Sequence, residues 1–227
     1  MTRAAVIVAA AGGGRRMGGL RKQYLELLGE PVLARALRPF LLHPAVEWAV
    51  VALPPEDAAD PPPWLLELGP AIRVVPGGDR RTDSVRLALA AVPEAADVVL
   101  VHDAARPLVT GDVIDRAIRA AAGGSGVIPG VPVEDTIKEV DADRRVVGTP
   151  DRSRLWRAQT PQAFPRALLA EAHRRALQDG VAATDDAALV ERIGGRIVVV
   201  DGSPENIKIT SPTDLVLAEA ILRGRSP

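Results

Sequence analysis

Apolar residues in this chain fall in short unbroken runs separated by amphipathic stretches. Residues 4–10 are apolar at every position, as in a strand buried on both faces of a parallel sheet. Residues 31–42 open on proline and then place Val32, Leu33, Ala36, Leu37 and Phe40 on one helical face. Residues 47–53 return as a strand, and the proline-rich acidic stretch 54–63 reads as a surface loop. A short strand over 72–75, a helix over 82–92 and a strand over 98–101 follow. This strand–helix alternation predicts a doubly wound, mostly parallel, Rossmann-like α/β sheet, in which ligands bind beyond the carboxyl ends of the strands.

Past a helix at 112–122 and a strand at 126–131 the pattern changes. Residues 133–150 alternate short extended pieces around the turn Asp141-Ala142-Asp143, which predicts a protruding β-hairpin arm spanning about 133–152. Helices at 165–179, 185–193 and 212–223 flank a last strand at 196–200. With 227 residues, 47% of them hydrophobic, the chain is long enough for one full core, so a single domain over 1–227 is expected. Its net charge of −1 gives no whole-molecule argument for nucleic acid or an anionic membrane. No apolar run approaches the roughly 20 residues of a membrane span, and there is no cysteine for disulfides, so a cytoplasmic protein is expected.

Against that neutral balance, the local chemistry of residues 3–24, RAAVIVAAAGGGRRMGGLRKQY, stands out. A strand that breaks into Gly12-Gly13-Gly14 exposes backbone N–H groups to an anion, and Arg15, Arg16, Arg21 and Lys22 supply the positive charge a polyphosphate needs. The dinucleotide pattern G-x-G-x-x-G fails at Met17, and no G-x-x-x-x-G-K-[ST] string exists, so neither of those phosphate loops is present. Lysine is scarce: of 28 basic residues only Lys22, Lys138 and Lys208 are lysines. Positions that keep a compact, mobile ammonium in so arginine-rich a chain are candidates for chemistry.

The string AAAGGGRRMGGLRKQY at 9–24 resembles the nucleotide-binding signature of the sugar-phosphate nucleotidylyltransferases, and within them the 2-C-methyl-D-erythritol 4-phosphate cytidylyltransferase family. GGDRRTDSV at 77–85, VHDAARP at 101–107, PVEDTIK at 132–138, LWRAQTPQAF at 155–164, ATDDA at 183–187 and ENIKIT at 205–210 extend the resemblance over almost the whole chain. Ala9 and Arg21 stand where that family commonly has proline, and the stretch 16–22 is about one residue short of its pattern. The resemblance implies cytidylyl transfer from CTP to 2-C-methyl-D-erythritol 4-phosphate, with pyrophosphate released, in non-mevalonate isoprenoid synthesis. It assigns Arg16, Lys22 and Lys208 to catalysis on the triphosphate. Ala10, Ala11, Gly12, Gly14, Gly78, Asp79, Ser84 and Ala104 fall to the nucleotide, and Asp103, Arg106, Thr136, Arg152, Thr160 and Thr184 to the second substrate.

Asp103 is also the implied partner of a magnesium ion, which takes hard oxygen ligands shared with substrate phosphates. In that family pattern the arm embraces a second subunit, so a homodimer is implied, with Thr136 and Arg152 reaching the neighbouring site. Residue by residue, plainer roles compete: Ser84 as a first-turn helix serine, Thr184 as the N-cap of the helix from 185, and Arg106 as a simple ion-pair partner of Asp103. His102 invites a general-base role that a phosphate nucleophile, already anionic near neutral pH, does not need. An acceptor such as ribitol 5-phosphate would use the same nucleotide site, and a nucleotide-sensing module would have no use for Lys208 or the arm.

Overall fold

The computed structural model describes residues 2–12 and 21–225; Gly14, Arg15 and Arg16 lie outside them. In chain order the strands are β1 (Ala4–Ala9), β2 (Glu26–Leu27), β3 (Glu30–Pro31), β4 (Val46–Leu53), β5 (Ile72–Pro76), β6 (Val98–Asp103), β7 (Gly126–Pro132), β8 (Glu139–Val140), β9 (Val146–Gly148), β10 (Trp156–Ala158), β11 (Gln162–Pro165) and β12 (Ile197–Asp201). The helices are α1 (Val32–Leu41), α2 (Pro55–Ala59), α3 (Pro63–Glu67), α4 (Arg81–Leu89), α5 (Gly111–Ala121), α6 (Arg166–Gln178), α7 (Asp186–Arg192) and α8 (Pro212–Gly224).

One eight-stranded sheet carries the architecture, in the order β10-β7-β11-β6-β1-β4-β5, with β12 paired to β7. β1 runs parallel to both β4 and β6, and β5 extends β4 in the same direction. The unbroken apolar run of β1 is explained by its central place. Ala4, Val6 and Val8 face a core shared with α1 and α5, while Ala5 and Ile7 face one shared with α4, α6 and α7. Helices therefore cover both faces, as the sequence alternation predicts. Because parallel strands point one way, the chain after β1 and the end of β6 emerge side by side, with Ala9 paired to Asp103.

The structure corrects the sequence reading in several places. The stretch 54–63 holds α2 and the start of α3, each with proline at its first helical position, where the missing N–H costs nothing. β10 and β11 were not legible: each is four residues or fewer, and β11 inserts antiparallel beside β6. Such a strand is selected by non-local pairing rather than by its own pattern. A small ribbon of β2 and β3 precedes α1, turning through Leu28 and Gly29, both at positive φ. β6 continues two residues past its apolar run, since His102 and Asp103 still pair with β1.

The expected hairpin exists as β8 and β9, joined around Asp141, whose side chain accepts the backbone N–H groups of Asp143 and Arg145. Ile137, Val140, Val146 and Val147 on it are exposed apolar side chains. No described helix is long and apolar enough to cross a membrane.

Candidate active site

A cavity of about 480 Å³ opens at the carboxyl ends of β1 and β6 and is lined by Ala10, Ala11, Gly12, Lys22, Gly78, Asp79, Arg81, Ser84, Asp103, Ala104 and Lys208, among others. Two of the chain's three lysines meet there, although 186 positions separate them in sequence. Lys22 begins a short 3-10 turn, and its ammonium lies 3.5 Å and 3.4 Å from the carbonyls of Ile209 and Thr210. Lys208 is held by its neighbours: Ile209 donates its N–H to the carbonyl of Ala105 at 2.8 Å, and the side chain of buried Asn206 donates to the carbonyl of Thr160. The capping box of Ser211 and Asp214 then starts α8 and fixes the segment's exit.

Asp103 is the electrostatic centre. Lys208 Nζ donates to Oδ2 at 2.6 Å, Arg81 Nε donates to Oδ1 at 3.2 Å, and Arg106 Nε stands 3.9 Å away. Burial by itself would push this carboxyl up; Arg81, Lys208 and Arg106 override that and hold it well below the usual carboxylate range. The group is therefore an anion at any physiological pH, and among the described residues three cations surround it, one of them shared with Asp186.

One wall is built from backbone. A Cβ on Gly77 would stand 2.3 Å from Cβ of Ala11, and one on Gly78 2.5 Å from Cβ of Asp83, so only glycine lets the β5–α4 connection lie against the end of β1. Ser84 closes this connection: its hydroxyl accepts the Gly78 N–H at 3.1 Å and lies within donating reach of the carbonyls of Arg80 and Gly78. The plainer helix-serine role is thus present, in the bond to the Arg80 carbonyl one turn back, and the same hydroxyl ties the helix to Gly78 on the cavity wall.

Other sequence-predicted residues lie elsewhere. Thr160 is buried beneath Asp103; its hydroxyl accepts the Asp103 N–H at 3.0 Å and donates to His102 Nδ1 at 3.0 Å. That tautomer follows because His102 Nε2 faces the carbonyl of Arg106 at 3.1 Å, which only accepts. Burial pushes the imidazole down to about 4, so His102 is neutral near pH 7. Arg106 is a half-buried strut, donating to the carbonyls of Asn206 and Ala158.

Thr136 and Arg152 are exposed at the base of the arm, off this cavity, with Arg152 donating to the carbonyl of Glu134. Thr184 is exposed and is not the N-cap of α7; Asp185 is, accepting the Ala188 N–H at 3.0 Å. Carboxylate binds that N–H more strongly than hydroxyl would, which decides between adjacent candidates. Arg21, expected among the phosphate-facing cations, instead pairs with Glu56 and Asp57 of α2, and Tyr24 donates to the same Asp57. The acidic stretch after β4 thus has a use that sequence spacing did not reveal. Arg81 was missed altogether; its only sequence signal was its place inside GGDRRTDSV.

The family model described as IspD, 2-C-methyl-D-erythritol 4-phosphate cytidylyltransferase, matches residues 4–224. The chain belongs to this family. Among 2-C-methyl-D-erythritol 4-phosphate cytidylyltransferases, that of Symbiobacterium thermophilum is 50% identical over 219 residues, covering 96% of this chain and 92% of the relative. The one from Caldanaerobacter subterraneus is 42% identical over 229 residues, covering 98% and 100%. Of solved structures, the cytidylyltransferase of Thermus thermophilus superposes with a TM-score of 0.83 at 36% identity, covering 98% of this chain and all of its own. The 4-diphosphocytidyl-2C-methyl-D-erythritol synthase of Anaerococcus prevotii superposes with a TM-score of 0.87 at 31% identity, covering 98% and 96%. Members of the cytidylyltransferase family thus share this chain's fold from end to end.

Proposed function

We propose that this chain transfers the cytidylyl group of CTP to the phosphate of 2-C-methyl-D-erythritol 4-phosphate, giving 4-diphosphocytidyl-2-C-methyl-D-erythritol and pyrophosphate. The observation that carries this reading, beside family membership, is the convergence of Lys22, Lys208 and Asp103 on one cavity that Gly78 helps to line, with buried Gly77 packed behind it on Ala11. In the reaction an oxygen of the acceptor phosphate forms a bond to the α-phosphorus as the bond from that phosphorus to the bridging oxygen of the β-phosphate breaks. The electron pair leaves on pyrophosphate, and no proton has to be removed from the nucleophile. Such a transfer asks the protein for in-line positioning and charge neutralisation.

Lys22 and Lys208 approach the cavity from different segments, which suits two cations on either side of the α-phosphate, where charge grows toward the transition state. Arg16 joins them by the family pattern. The backbone of Ala10, Ala11 and Gly78, with Asp79 and the Ser84-closed loop, suits the donor and acceptor edge of cytosine; Gly12, Gly14 and Ala104 would border the phosphates and ribose. Arg106, Thr160 and Thr184 belong to the acceptor side by the same pattern. Magnesium fits this site as a companion of the triphosphate: Asp103 is a single ionised, hard oxygen donor on the cavity wall whose Oδ2 opens to a metal once Lys208 turns to the phosphate, and the described residues offer no cluster of three or more ligands that would hold a metal by themselves. Asp103 would hold the ion, which supplies charge neutralisation on the phosphates.

The arm, with its exposed apolar residues, supports a homodimer in which Thr136 and Arg152 serve the neighbouring subunit's acceptor site. The cytoplasm, where CTP is held, is the compartment this chemistry calls for. Pyrophosphate release with magnesium, each of the four NTPs, and either 2-C-methyl-D-erythritol 4-phosphate or ribitol 5-phosphate tests the reading. Release confined to CTP with the methylerythritol phosphate is expected; equal turnover with ribitol 5-phosphate or with a purine triphosphate overturns the substrate assignment.

A further inference from the structure

Behind Asp103 runs a chain of buried polar contacts that leaves the cavity and crosses to the far helices. Arg81, the first residue of α4, spans two carboxylates: Nε donates to Asp103 Oδ1 at 3.2 Å and Nη1 donates to Asp186 Oδ2 at 2.6 Å. Asp186 opens α7 and is 1% exposed. From α6, His173 Nε2 meets its Oδ1 at 2.9 Å, and Gln162 of β11 accepts the N–H groups of Asp186 and Ala187, both at 3.1 Å. Burial would raise the Asp186 carboxyl, and Arg81 with His173 lowers it instead, so the anchor is an anion.

The geometry points to Arg81 as a positioning residue, fixed by the buried Asp186, that holds Asp103 so that Lys208 is presented to the reacting phosphate. Lys208 spends its ammonium on Asp103 Oδ2 and is the more exposed partner, with 41% of its side chain accessible against 12% for Asp103. An incoming phosphate draws that ammonium away from the carboxylate. If Lys208 were the only group holding Asp103, the carboxylate would follow it or rotate. A guanidinium is a rigid planar fork, and here one prong is set in the interior by a carboxylate with no freedom to move, so Oδ1 stays put while Lys208 exchanges partners. Lysine at position 81 would bring one charge but could not span both carboxylates. The alternative is that Arg81 merely ties α4 to α7, which would affect stability without touching turnover.

This inference rests on the cytidylyl-transfer reading, and the wild-type control in the same assay tests that reading separately. Arg81→Ala would strand two carboxylates, so the informative variants are Arg81→Lys, which keeps a cation there, and Asp186→Asn, which keeps shape and removes the anchor's charge. Full-length protein is assayed for pyrophosphate release, with CTP affinity measured by equilibrium binding and folded fraction by circular dichroism. Both variants are expected to lose kcat by on the order of ten- to hundredfold, the scale of a small misplacement of reacting groups, while the Kd for CTP stays within about threefold. The double variant should fall no further than the worse single one, because both act on one element. Wild-type kcat in either single variant, a loss carried by KM alone, or a loss equal to the loss of folded protein overturns the inference; an inactive wild type overturns the underlying reading instead.

Discussion

At the scale of single residues, the two cavity lysines and the glycines beside them define what the site is able to do. If Lys22 neutralises charge that develops on the α-phosphate, Lys22→Ala lowers kcat by on the order of a hundredfold or more while CTP affinity changes little, since contacts made chiefly in the transition state appear in kcat. Steady-state kinetics beside equilibrium CTP binding checks this, and a normal kcat with only a raised KM would reduce Lys22 to a substrate holder. Gly77→Ala is a test of space rather than charge. The added methyl would meet Cβ of Ala11 at 2.3 Å, Ser84 Oγ at 2.9 Å and the Leu53 carbonyl of β4 at 3.2 Å. We expect a loss of about 1–3 kcal/mol in chemical denaturation, the usual cost of overpacking, together with weakened CTP binding. Lys22 and Lys208 were legible in sequence because lysine is rare in this chain, whereas Arg81 was one arginine among 25 and only its two carboxylate partners distinguish it.

Elements bring these residues together, and the end of β6 does most of that. Its last two residues are polar yet buried, which the ladder to β1 and the Thr160 hydroxyl make tolerable. His102 has a pH signature as a result. Its pKa in the folded chain, about 4, lies below the roughly 6.5 of an unfolded histidine, so the unfolded state binds the extra proton first. The stability tied to neutral His102 is complete above about pH 6.5 and is lost as pH falls toward 4, by on the order of 3 kcal/mol. His43 is shifted the same way and stays in any His102 variant, so the comparison isolates one ring. Urea unfolding at pH 7 and pH 4.5 should show a smaller acid loss in His102→Gln than in the parent; equal losses would contradict the assigned shift. The strand itself was predicted from its apolar run, but β10 and β11 were not, since so few residues carry no periodicity of their own.

For the whole molecule, the proposed homodimer predicts that one chain alone is an incomplete enzyme. Thr136 and Arg152 are exposed and lie off the cavity that holds Lys22, so the proposed shared site has a sharp test. Arg152→Ala and Lys22→Ala should each inactivate a homodimer. Mixing them in equal amounts under subunit exchange should restore roughly a quarter of wild-type activity, because about half the dimers are mixed and each has one site free of both lesions. No recovery after confirmed exchange would confine each site to a single chain and leave cytidylyl transfer itself standing. By itself the sequence determined the layered α/β architecture, the hairpin, the rarity of lysine and the glycine-bounded pocket, since hydrophobic periodicity and glycine sterics act over a few neighbouring residues. Only the tertiary structure decided that Arg21 belongs to α2 rather than to phosphate, that Asp185 and not Thr184 caps α7, and that Arg81 ties Asp103 to a buried carboxylate 83 positions further along the chain. For the two arginines the physical reason is shared: the energy of a charge is set by which opposite charges the folded chain brings within hydrogen-bond distance, and local sequence carries no record of those partners; for the cap, the helix start at Asp186 sets which side chain faces the free Ala188 N–H.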